Sequence, residues 1–441
     1  MALNSMTFKN GVHMPEYKEL TENSELKIAS IPKLVTIPLT QHIGAPSKCL
    51  VAKKDEVSVG QLIGQAVGNF SANIHSSVAG VVKDIIDIQT ASGKDAKAVV
   101  IDTEGFDQDK EYIEKDNVSL SAEEIVAKIK EAGIVGMGGA AFPAHIKYMP
   151  TKPVDTVIIN GAECEPYITC DDYLLKNKAN EILKGLVELT KSVNAKKAVI
   201  AIEDNKPKAF DNMTAALEKF GKSKDGISIE LVKLETKYPQ GDEKRIIDVV
   251  LDRQVPSGGL PMDVGAIVSN TSTVYAVYEA LYKDKPLYER IVTVTGKEVK
   301  NPTNMLVRIG TEFSYAIEEA GGADDISKLI SGGPMCGIAQ PDTNRPVEKA
   351  SNCILVLGSD EAKPLEVDAC IRCGRCVDVC PVSLLPLYIH KFSLEERFEK
   401  AQEFDIMDCI ECGSCSYVCP SNRPLVEAIK FGKRQIRQAG K

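Results

Sequence analysis

Two nearly identical cysteine motifs near the C-terminus constrain this chain more than any other feature. "CIRCGRCVDVCP" at 370–381 recurs as "CIECGSCSYVCP" at 409–420, and each copy has the spacing C-x2-C-x2-C-x3-C before a proline. Eight of the 13 cysteines lie in these motifs. A 4Fe–4S cluster takes four cysteine thiolates, and in paired runs of this spacing the fourth cysteine ligates the other cluster. The sequence therefore predicts two clusters with crossed ligation.

Crossing assigns one set of four cysteines to each cluster. Pro381 and Pro420 follow the fourth ligands and fix the turn there. A structural zinc site is the alternative, but zinc needs a single quartet, usually from two separated C-x2-C pairs. The predicted ligands are Cys370, Cys373, Cys376 and Cys419 for cluster one, and Cys380, Cys409, Cys412 and Cys415 for cluster two. Most of the other five cysteines are predicted to be small buried residues: Cys49, Cys164, Cys170, Cys336 and Cys353.

Length and composition narrow the remaining possibilities. With 441 residues, 44% hydrophobic and 26% charged, the chain is too long for one core, and about three domains are expected. We find no apolar run of the roughly 18–20 residues that span a bilayer, and no signal peptide. The net charge of −9 argues against nucleic acid as the main partner. A cytosolic location is the default expectation, and reduced thiols there favour metal ligation over disulfides.

Within the first hundred residues, the sequence changes from a polar segment to one with a β-strand pattern. Residues 1–30 are polar and unpatterned, which predicts an N-terminal arm. Residues 31–105 contain short β-like runs punctuated by glycines, which predict a small all-β domain with tight turns.

Within this β domain, "DEVSVGQLIG" followed by "IHSSVAGVV" resembles the hammerhead of lipoyl and biotinyl carriers, a barrel-sandwich hybrid. A carrier needs a modifiable lysine at its hairpin tip. No lysine lies between Lys54 and Lys83, and Asn69 stands near the expected place. We therefore predict an unmodified scaffold or docking domain without a swinging arm.

Residues 118–285 alternate buried-strand and helical patterns, which predicts an α/β domain. Its "GIVGMGGAAFPAHIKY" segment, 133–148, concentrates glycines before a helix, where backbone amides can approach a phosphate. Lys147 could reach the same phosphate. On physical grounds alone, a plain turn explains the glycines equally well.

An acidic segment follows the first predicted strand of this domain. "NGAECEPYITCDDYLL", 160–175, places two carboxylates at the carboxyl end of the strand, where α/β sheets bind ligands. A solvated acidic turn is the alternative interpretation.

The C-terminal third contains three further units. Residues 286–360 run from strands through a turn to a short helix and resemble the β-grasp-like soluble-ligand-binding (SLBB) domain. The cysteine motifs define a ferredoxin-like module at 361–429. A basic tail, 430–441, is either a solvated helix end or a contact for an acidic membrane partner or anionic lipid. Its charges are Lys430, Lys433, Arg434, Arg437 and Lys441.

"GMGGAAFP" with its following lysine, together with "NGAECEP", resembles the flavin-binding subunit of respiratory complex I, which binds FMN and NADH. The resemblance places Glu163 and Glu165 at the flavin and nicotinamide side, as the catalytic candidates. "YPQGDEKRII" stands where that family has a Gly-Glu-Glu loop, and Asp242 shortens its first carboxylate. Ala162 replaces an aspartate that is common there. The implied cofactor-binding residues are Gly136, Gly138, Gly139, Lys147, Asn160, Gly241, Glu243, Asn270 and Thr271.

The order of the domains resembles a narrower family, the C subunits of Rnf complexes, which are membrane-bound, ion-translocating ferredoxin:NAD oxidoreductases. This implies a multidomain α/β and α+β fold: barrel-sandwich, complex I-like flavin domain, SLBB domain and a helical two-cluster module. It also implies a peripheral electron-transfer subunit at the cytoplasmic face of the membrane. Its cofactors would be NAD(H), FMN and two 4Fe–4S clusters, with FMN converting between hydride and single electrons. Its partners would be integral-membrane subunits and an iron–sulfur, ferredoxin-like subunit.

Two alternatives remain at this point. One is a soluble flavin and iron–sulfur reductase, such as a cobalamin reductase or the electron donor of an amino-acid reductase. Cobalamin reductases, however, place the hammerhead-like unit after the cysteines. The other is a non-enzymatic iron–sulfur wiring subunit, in which the glycine segment is structural and no nicotinamide binds.

Overall fold

The computed structural model describes residues 5–439, and the segment predicted as an arm lies packed against the later domains. Phe8 and Val12 are buried, and Val12 forms an antiparallel bridge with Tyr238. Two short elements follow, a 3-10 helix at Lys18–Leu20 and strand β1 at Lys27–Ile28. The described part of this segment, 5–30, is therefore integral to the structure and does not project from it.

The barrel-sandwich domain consists of two small antiparallel sheets around an aliphatic core that includes Ile37, Ile63 and Ile101. Its strands are β2 (Leu34–Pro38), β3 (Lys48–Cys49), β4 (Glu56–Val57), β5 (Leu62–Gln65), β6 (Ile74–His75), β7 (Gly80–Gln89) and β8 (Asp95–Asp102). The sheet orders are β2-β8-β7-β4 and β3-β5-β6.

The hairpin between β5 and β6, where a carrier would present its lysine, packs on the glycine segment of the next domain. The Phe70 ring meets Phe142 edge-on, with centroids 6.1 Å apart. In the neighbouring loop, the Ile43 N–H donates to the Ala141 carbonyl over 3.1 Å. The tip is thus fixed against the next domain of the same chain.

The α/β domain is a five-stranded sheet of order β11-β12-β10-β9-β13, parallel except for the edge strand β11. Buried residues of β9 and β10, such as Ile159 and Ile200, join one core with the covering helices. Its strands are β9 (Thr156–Gly161), β10 (Lys197–Glu203), β11 (Ser223–Lys224), β12 (Ile227–Leu234) and β13 (Ala266–Asn270). Its helices are α1 (Ala122–Glu131), α2 (Ala144–Lys147), α3 (Cys170–Asn177), α4 (Ala179–Ser192), α5 (Pro207–Phe220), α6 (Glu243–Leu251) and α7 (Thr271–Lys283), with a 3-10 helix at Pro261–Val264.

The SLBB-like domain is a mixed sheet of order β1-β15-β14-β18-β16-β17, which includes the strand β1 from the N-terminal segment. Phe313 is fully buried in its core. The strands are β14 (Glu289–Thr295), β15 (Thr303–Arg308), β16 (Lys328–Ser331), β17 (Ile338–Gln340) and β18 (Cys353–Leu357), and the helices are α8 (Phe313–Glu319) and α9 (Ser359–Ala362).

The cysteine module is helical, with a small core that includes Ile389, Ile406 and Ile429. Its helices are α10 (Arg375–Asp378), α11 (Pro386–Leu394), α12 (Phe398–Glu403), α13 (Ser414–Tyr417) and α14 (Leu425–Ala439), with a 3-10 helix at Ile406–Asp408. Of the helices within residues 5–439, none combines the length and the apolar character that crossing a bilayer requires.

The described part of the predicted basic tail continues helix α14. Lys433 is buried, pairs with Glu411 at 2.6 Å and donates to the Cys409 carbonyl at 2.7 Å. Arg434 and Arg437 are exposed, whereas Lys441 lies outside the described residues. A separate tail beginning at residue 430 is therefore not what the structure has, since Lys433 holds the second cysteine motif in place.

Candidate functional site

A cleft of about 780 Å³, including its mouth, adjoins the carboxyl ends of β9 and β13. Side chains from the α/β domain, the SLBB-like domain and the cysteine module all line it. It brings together six of the predicted catalytic and cofactor-binding residues, Gly138, Asn160, Glu163, Glu165, Gly241 and Asn270, with the predicted cluster ligand Cys412.

The glycine segment forms a tight turn at the wall of this cleft. The Gly136 N–H donates to the Phe142 carbonyl at 2.7 Å, and the Ala141 N–H donates back to the Gly136 carbonyl at 3.1 Å. Gly139 has φ +108°, which favours glycine, and a Cβ at Gly138 would lie 3.3 Å from the Asn270 side chain. The turn therefore presents bare backbone to the cleft, as phosphate or flavin binding requires.

Two asparagines at the strand ends connect the surrounding loops. Asn160 donates to the Gly241 carbonyl at 2.8 Å, and Thr271 donates to the Asn160 carbonyl at 3.2 Å. Asn270 accepts from the Thr273 N–H at 3.3 Å as the N-cap of α7, and it also donates to the Asp171 carboxylate. The predicted polar residues thus form one connected wall.

Lys147 and Glu243, both predicted to contact the cofactor, form an ion pair with each other. Neither side chain lines the cleft, although Gly241 and Asp242, which immediately precede Glu243, do. The Lys147 side chain is 31% exposed, so the ammonium is available to an anion near this edge.

Backbone amides hold both predicted glutamates. The Glu163 carboxylate accepts from the Asp171 and Asp172 N–H groups at 2.7 and 3.1 Å, at the start of α3. Burial raises the pKa of Glu163 to about 7. The Glu165 carboxylate accepts from the Met335 and Cys336 N–H groups at 3.2 and 2.7 Å, and burial raises its pKa too.

The loop that Glu165 holds comes from the SLBB-like domain and forms part of the cleft wall. Gly333 is required there, because a Cβ would lie 2.1 Å from a Glu165 carboxylate oxygen. Cys336 from this loop lines the cleft. Glu165 therefore fastens the SLBB-like domain to the acidic segment.

Sequence reasoning missed Tyr238 and Asp171, which are both central to the cleft. The Tyr238 hydroxyl donates to the Cys412 carbonyl at 2.7 Å and lies 3.1 Å from the Cys336 sulfur. Asp171 accepts from the Ser272 N–H and from its hydroxyl. The "CDDY" acids after the strand were a signal for Asp171. Tyr238 begins the quoted "YPQGDEKRII" segment, but that pattern assigns no role to the tyrosine.

The predicted ligands of cluster one surround one cavity. Cys370, Cys373, Cys376 and Cys419 all line a space of about 400 Å³. In the described chain, 5–439, no three His, Cys, Asp or Glu side chains are close enough to hold one metal ion.

The predicted ligands of cluster two are neighbours deeper in the module. The pKa of Cys415 is raised by burial and then by Cys409, Cys412 and Cys380, which shows their proximity. Cys380 and Cys415 are buried, whereas Cys370 and Cys373 of the first set are exposed. Cys412 also lines the main cleft, so the second set is the inner one.

The expectation that most of the other cysteines are buried is wrong. Cys170 and Cys353 are buried, but Cys49 and Cys164 are half-buried and Cys336 is exposed. The cleft explains Cys164 and Cys336, because both line it.

A second lobe of the cleft contains Glu348, which is 6% exposed and accepts from the Ala91 N–H. Burial raises the pKa of Glu348 from 4.5 to about 7. Between these values the folded chain keeps a proton that the unfolded chain releases, so stability falls as pH rises. We expect Glu348→Gln to remove this loss and to stabilise the chain at pH 7 by about 3 kcal/mol. Denaturant unfolding across pH 4.5–7 measures how the free energy of unfolding changes with pH. Glu399→Gln, at an exposed position, is the control. If the pH dependence of Glu348→Gln equals that of this control, the prediction is wrong.

Family models match four consecutive parts of the chain and confirm the predicted fold class. The matches are a RnfC barrel sandwich hybrid domain at 6–106, a Nuo51 FMN-binding domain at 129–279, an SLBB domain at 291–339 and a 4Fe-4S dicluster domain at 364–420. With the cleft and the two cysteine sets, these domains define an electron-transfer subunit that binds FMN and two 4Fe–4S clusters.

Full-length relatives specify the family. The chain is 44% identical to the C subunit of the proton-translocating ferredoxin:NAD(+) oxidoreductase complex of Clostridium ljungdahlii, over 98% of this chain and 95% of the relative. It is 41% identical to the Na(+)-translocating counterpart of Acetobacterium woodii, over 98% and 97%. The chain belongs to this family, the C subunits of ion-translocating ferredoxin:NAD(+) oxidoreductase (Rnf) complexes, as the resemblance indicated.

A solved structure shares the fold at much lower identity. An NAD+-reducing NiFe-hydrogenase crystal structure in the H2-reduced state matches with TM-score 0.51 and 17% identity. The match covers 72% of this chain and 61% of that chain. It supports the fold assignment alone.

Proposed function

We propose that this chain exchanges electrons between NAD(H) and the other subunits of an ion-translocating ferredoxin:NAD oxidoreductase, through FMN and two 4Fe–4S clusters. One observation carries the proposal: the Tyr238 hydroxyl joins the cleft wall to the carbonyl of Cys412, a predicted ligand of cluster two. The cleft and the inner cysteine set therefore share a wall, as direct electron transfer between them requires.

The residues around the cleft fit FMN. Bare backbone at Gly138 and Gly139, with Gly136 forming the turn, would admit a phosphate or the ring system, and Lys147 would supply a positive charge. Asn160, Asn270 and Thr271 offer amide and hydroxyl groups. Gly241, beside Asn160, and Glu243, beside Lys147, would complete the FMN site. When bound, FMN accepts a hydride from a nicotinamide and passes single electrons to iron–sulfur clusters.

Glu163 and Glu165 would lie at the nicotinamide side and act by position. Hydride transfer needs no acid–base pair from the protein. The two carboxylates instead accept four backbone N–H groups, which fixes the acidic segment against α3 and against the 335–336 loop. The Glu165 contacts also join the α/β domain to the SLBB-like domain.

The two cysteine sets differ in depth in a way that suits a relay. The inner set adjoins the cleft through Cys412, and the outer set has Cys370 and Cys373 exposed at the surface. Leu365, Val367 and Ile371 are exposed on the segment that leads into the first motif, and Ile371 lines the cavity of the outer set. An apolar rim around an exposed carrier is what a redox partner can dock against.

We propose that the chain sits peripherally on the cytoplasmic face of the membrane, with integral-membrane subunits and a ferredoxin-like iron–sulfur subunit as partners. Arg434 and Arg437, exposed on α14, are the candidate contacts for an acidic partner face or anionic lipid.

Arg434→Gln with Arg437→Gln should weaken binding to membranes that carry the other subunits. About 1 kcal/mol per charge is expected at low salt, fading as salt rises. Co-sedimentation measures it, with Arg397→Gln and Lys400→Gln, exposed on the same module, as the control. Substitution is preferable to truncation, because Gly432 and Lys433 are packed. Equal binding by both double variants would mean that the helix end is only solvated.

Iron and sulfide analysis and an absorption spectrum of the purified chain, both under anaerobic conditions, test the proposed function. We expect about eight iron and eight sulfide per chain and flavin absorption that NADH bleaches. Iron–sulfur absorption without flavin, and no response to NADH, would instead indicate a wiring subunit.

A further inference from the structure

The N-terminal strap, residues 5–24, carries a buried lysine with no role in the cleft chemistry described above. Lys18 is 6% exposed, and its ammonium donates to three backbone carbonyls, those of Glu163, Glu165 and Ile168, at 2.8, 3.0 and 2.6 Å. All three donors of the ammonium are therefore used on one short segment. Burial lowers the pKa of Lys18, and the carbonyls compensate for lost hydration.

Further contacts bind the strap to the same part of the acidic segment, residues 163–169. The Tyr17 ring stacks on Tyr167, with centroids 4.6 Å apart at 15°. The Tyr167 N–H donates to the Glu16 carbonyl at 2.7 Å, and the hydroxyls of Thr21 and Thr169 are 2.7 Å apart. The conformation of the acidic segment thus depends on a part of the chain about 150 residues earlier.

The other end of the strap reaches the inner cysteine set. The Asn10 amide donates to the Cys380 carbonyl at 3.0 Å, and the Gly11 N–H donates to the Val379 carbonyl at 3.1 Å. The next residue, Val12, exchanges two backbone hydrogen bonds with Tyr238, at 2.8 and 2.9 Å. Tyr238 in turn bonds to Cys412, so the strap contacts both sides of the shared wall.

We propose that the strap is a positioning element that sets the acidic segment of the cleft and the inner cysteine set at a fixed distance from each other. Lys18 positions the acidic segment, and Asn10 positions the loop of Cys380. The functional consequence rests on the proposed FMN and cluster chemistry, whereas the positional claim concerns residues of this chain alone.

Hydrogen–deuterium exchange tests the positional claim without any activity measurement. Lys18→Met leaves three buried carbonyls unpaired, so the amides held by Glu163 and Glu165 (171, 172, 335 and 336) should exchange about tenfold faster or more. Lys9→Met, an exposed lysine of the same strap, is the matched control and should leave these amides unchanged. Equal protection in both variants would overturn the role of Lys18.

Asn10→Gly is the milder variant and separates position from folding, because it removes the side-chain amide and glycine tolerates the φ of 68° at this position. We expect bleaching of the flavin by NADH at the wild-type rate and cluster reduction slowed by about tenfold, since one charge-free hydrogen bond is lost at the cluster side. Unchanged cluster content, thermal unfolding and cluster potentials would exclude general damage. If the Asn10 variant shows wild-type rates of both flavin bleaching and cluster reduction, the proposal is wrong. If NADH fails to bleach the flavin of the wild-type chain, that result counts against the proposed function instead.

Discussion

In a chain carrying Cys380→Ala, the cluster of the second motif should be lost and that of the first retained. Cys380 belongs by sequence to the first motif, yet it lies beside Cys409, Cys412 and Cys415. A cluster that has lost one of four thiolates is expected to leave the protein during purification. Iron and sulfide should fall from about eight to about four per chain.

Double variants show which cluster is lost. With crossed ligation, Cys380 and Cys412 serve the same cluster, so Cys380→Ala with Cys412→Ala should still retain about four iron. Cys380→Ala with Cys373→Ala removes a ligand from each cluster and should retain almost none. The reverse pattern would mean that each motif holds its own cluster. Cys353→Ala, a buried cysteine outside both motifs, is the control.

Lys147→Ala should weaken the retention of FMN. A single charged hydrogen bond to phosphate is worth about 1–3 kcal/mol, which corresponds to roughly five- to 150-fold in the dissociation constant. Flavin released on gel filtration, or titration of the flavin-free chain with FMN, measures it. Lys152→Ala is the control, because Lys152 also pairs with a carboxylate, that of Asp263, but precedes β9 and does not line the cleft.

The partner of Lys147 sharpens this test. Glu243→Gln releases the Lys147 ammonium from its ion pair without adding a charge. If Lys147 holds the phosphate and Glu243 only restrains it, FMN should bind as tightly as in the wild type or more tightly. If Glu243 itself contacts the flavin, retention should fall in both variants. Unchanged flavin content after Lys147→Ala would count against the assignment.

Sequence patterns predicted those parts of the site that are local in the chain. The cysteine spacing and the glycine segment act within a few residues, and the acidic segment follows its strand directly, so each carries a readable signal. The hammerhead pattern and the absent lysine predicted an unmodified scaffold or docking domain, but nothing in the sequence indicated that its hairpin packs on Phe142.

The contacts that hold the site together join distant residues and left no such signal. Lys18 and Glu163 are 145 residues apart, and Asn10 and Cys380 are 370 apart, so a polar N-terminal segment resembled an unstructured arm. Lys433 resembled one more charge in a basic tail, yet Glu411 neutralises it inside the module. Glu163 and Glu165 looked like solvated or ligand-facing acids, whereas four backbone amides occupy them.

The immobilised hairpin of the barrel-sandwich domain has a consequence for how electrons can travel. In a carrier, such a hairpin visits distant sites in turn, and its tether sets the reach. Here the tip is tied to the glycine segment by the Phe70–Phe142 contact and the neighbouring backbone hydrogen bond. The hairpin therefore cannot swing between sites as that of a carrier does. Electron transfer in this chain instead depends on distances between cofactor sites that the fold fixes.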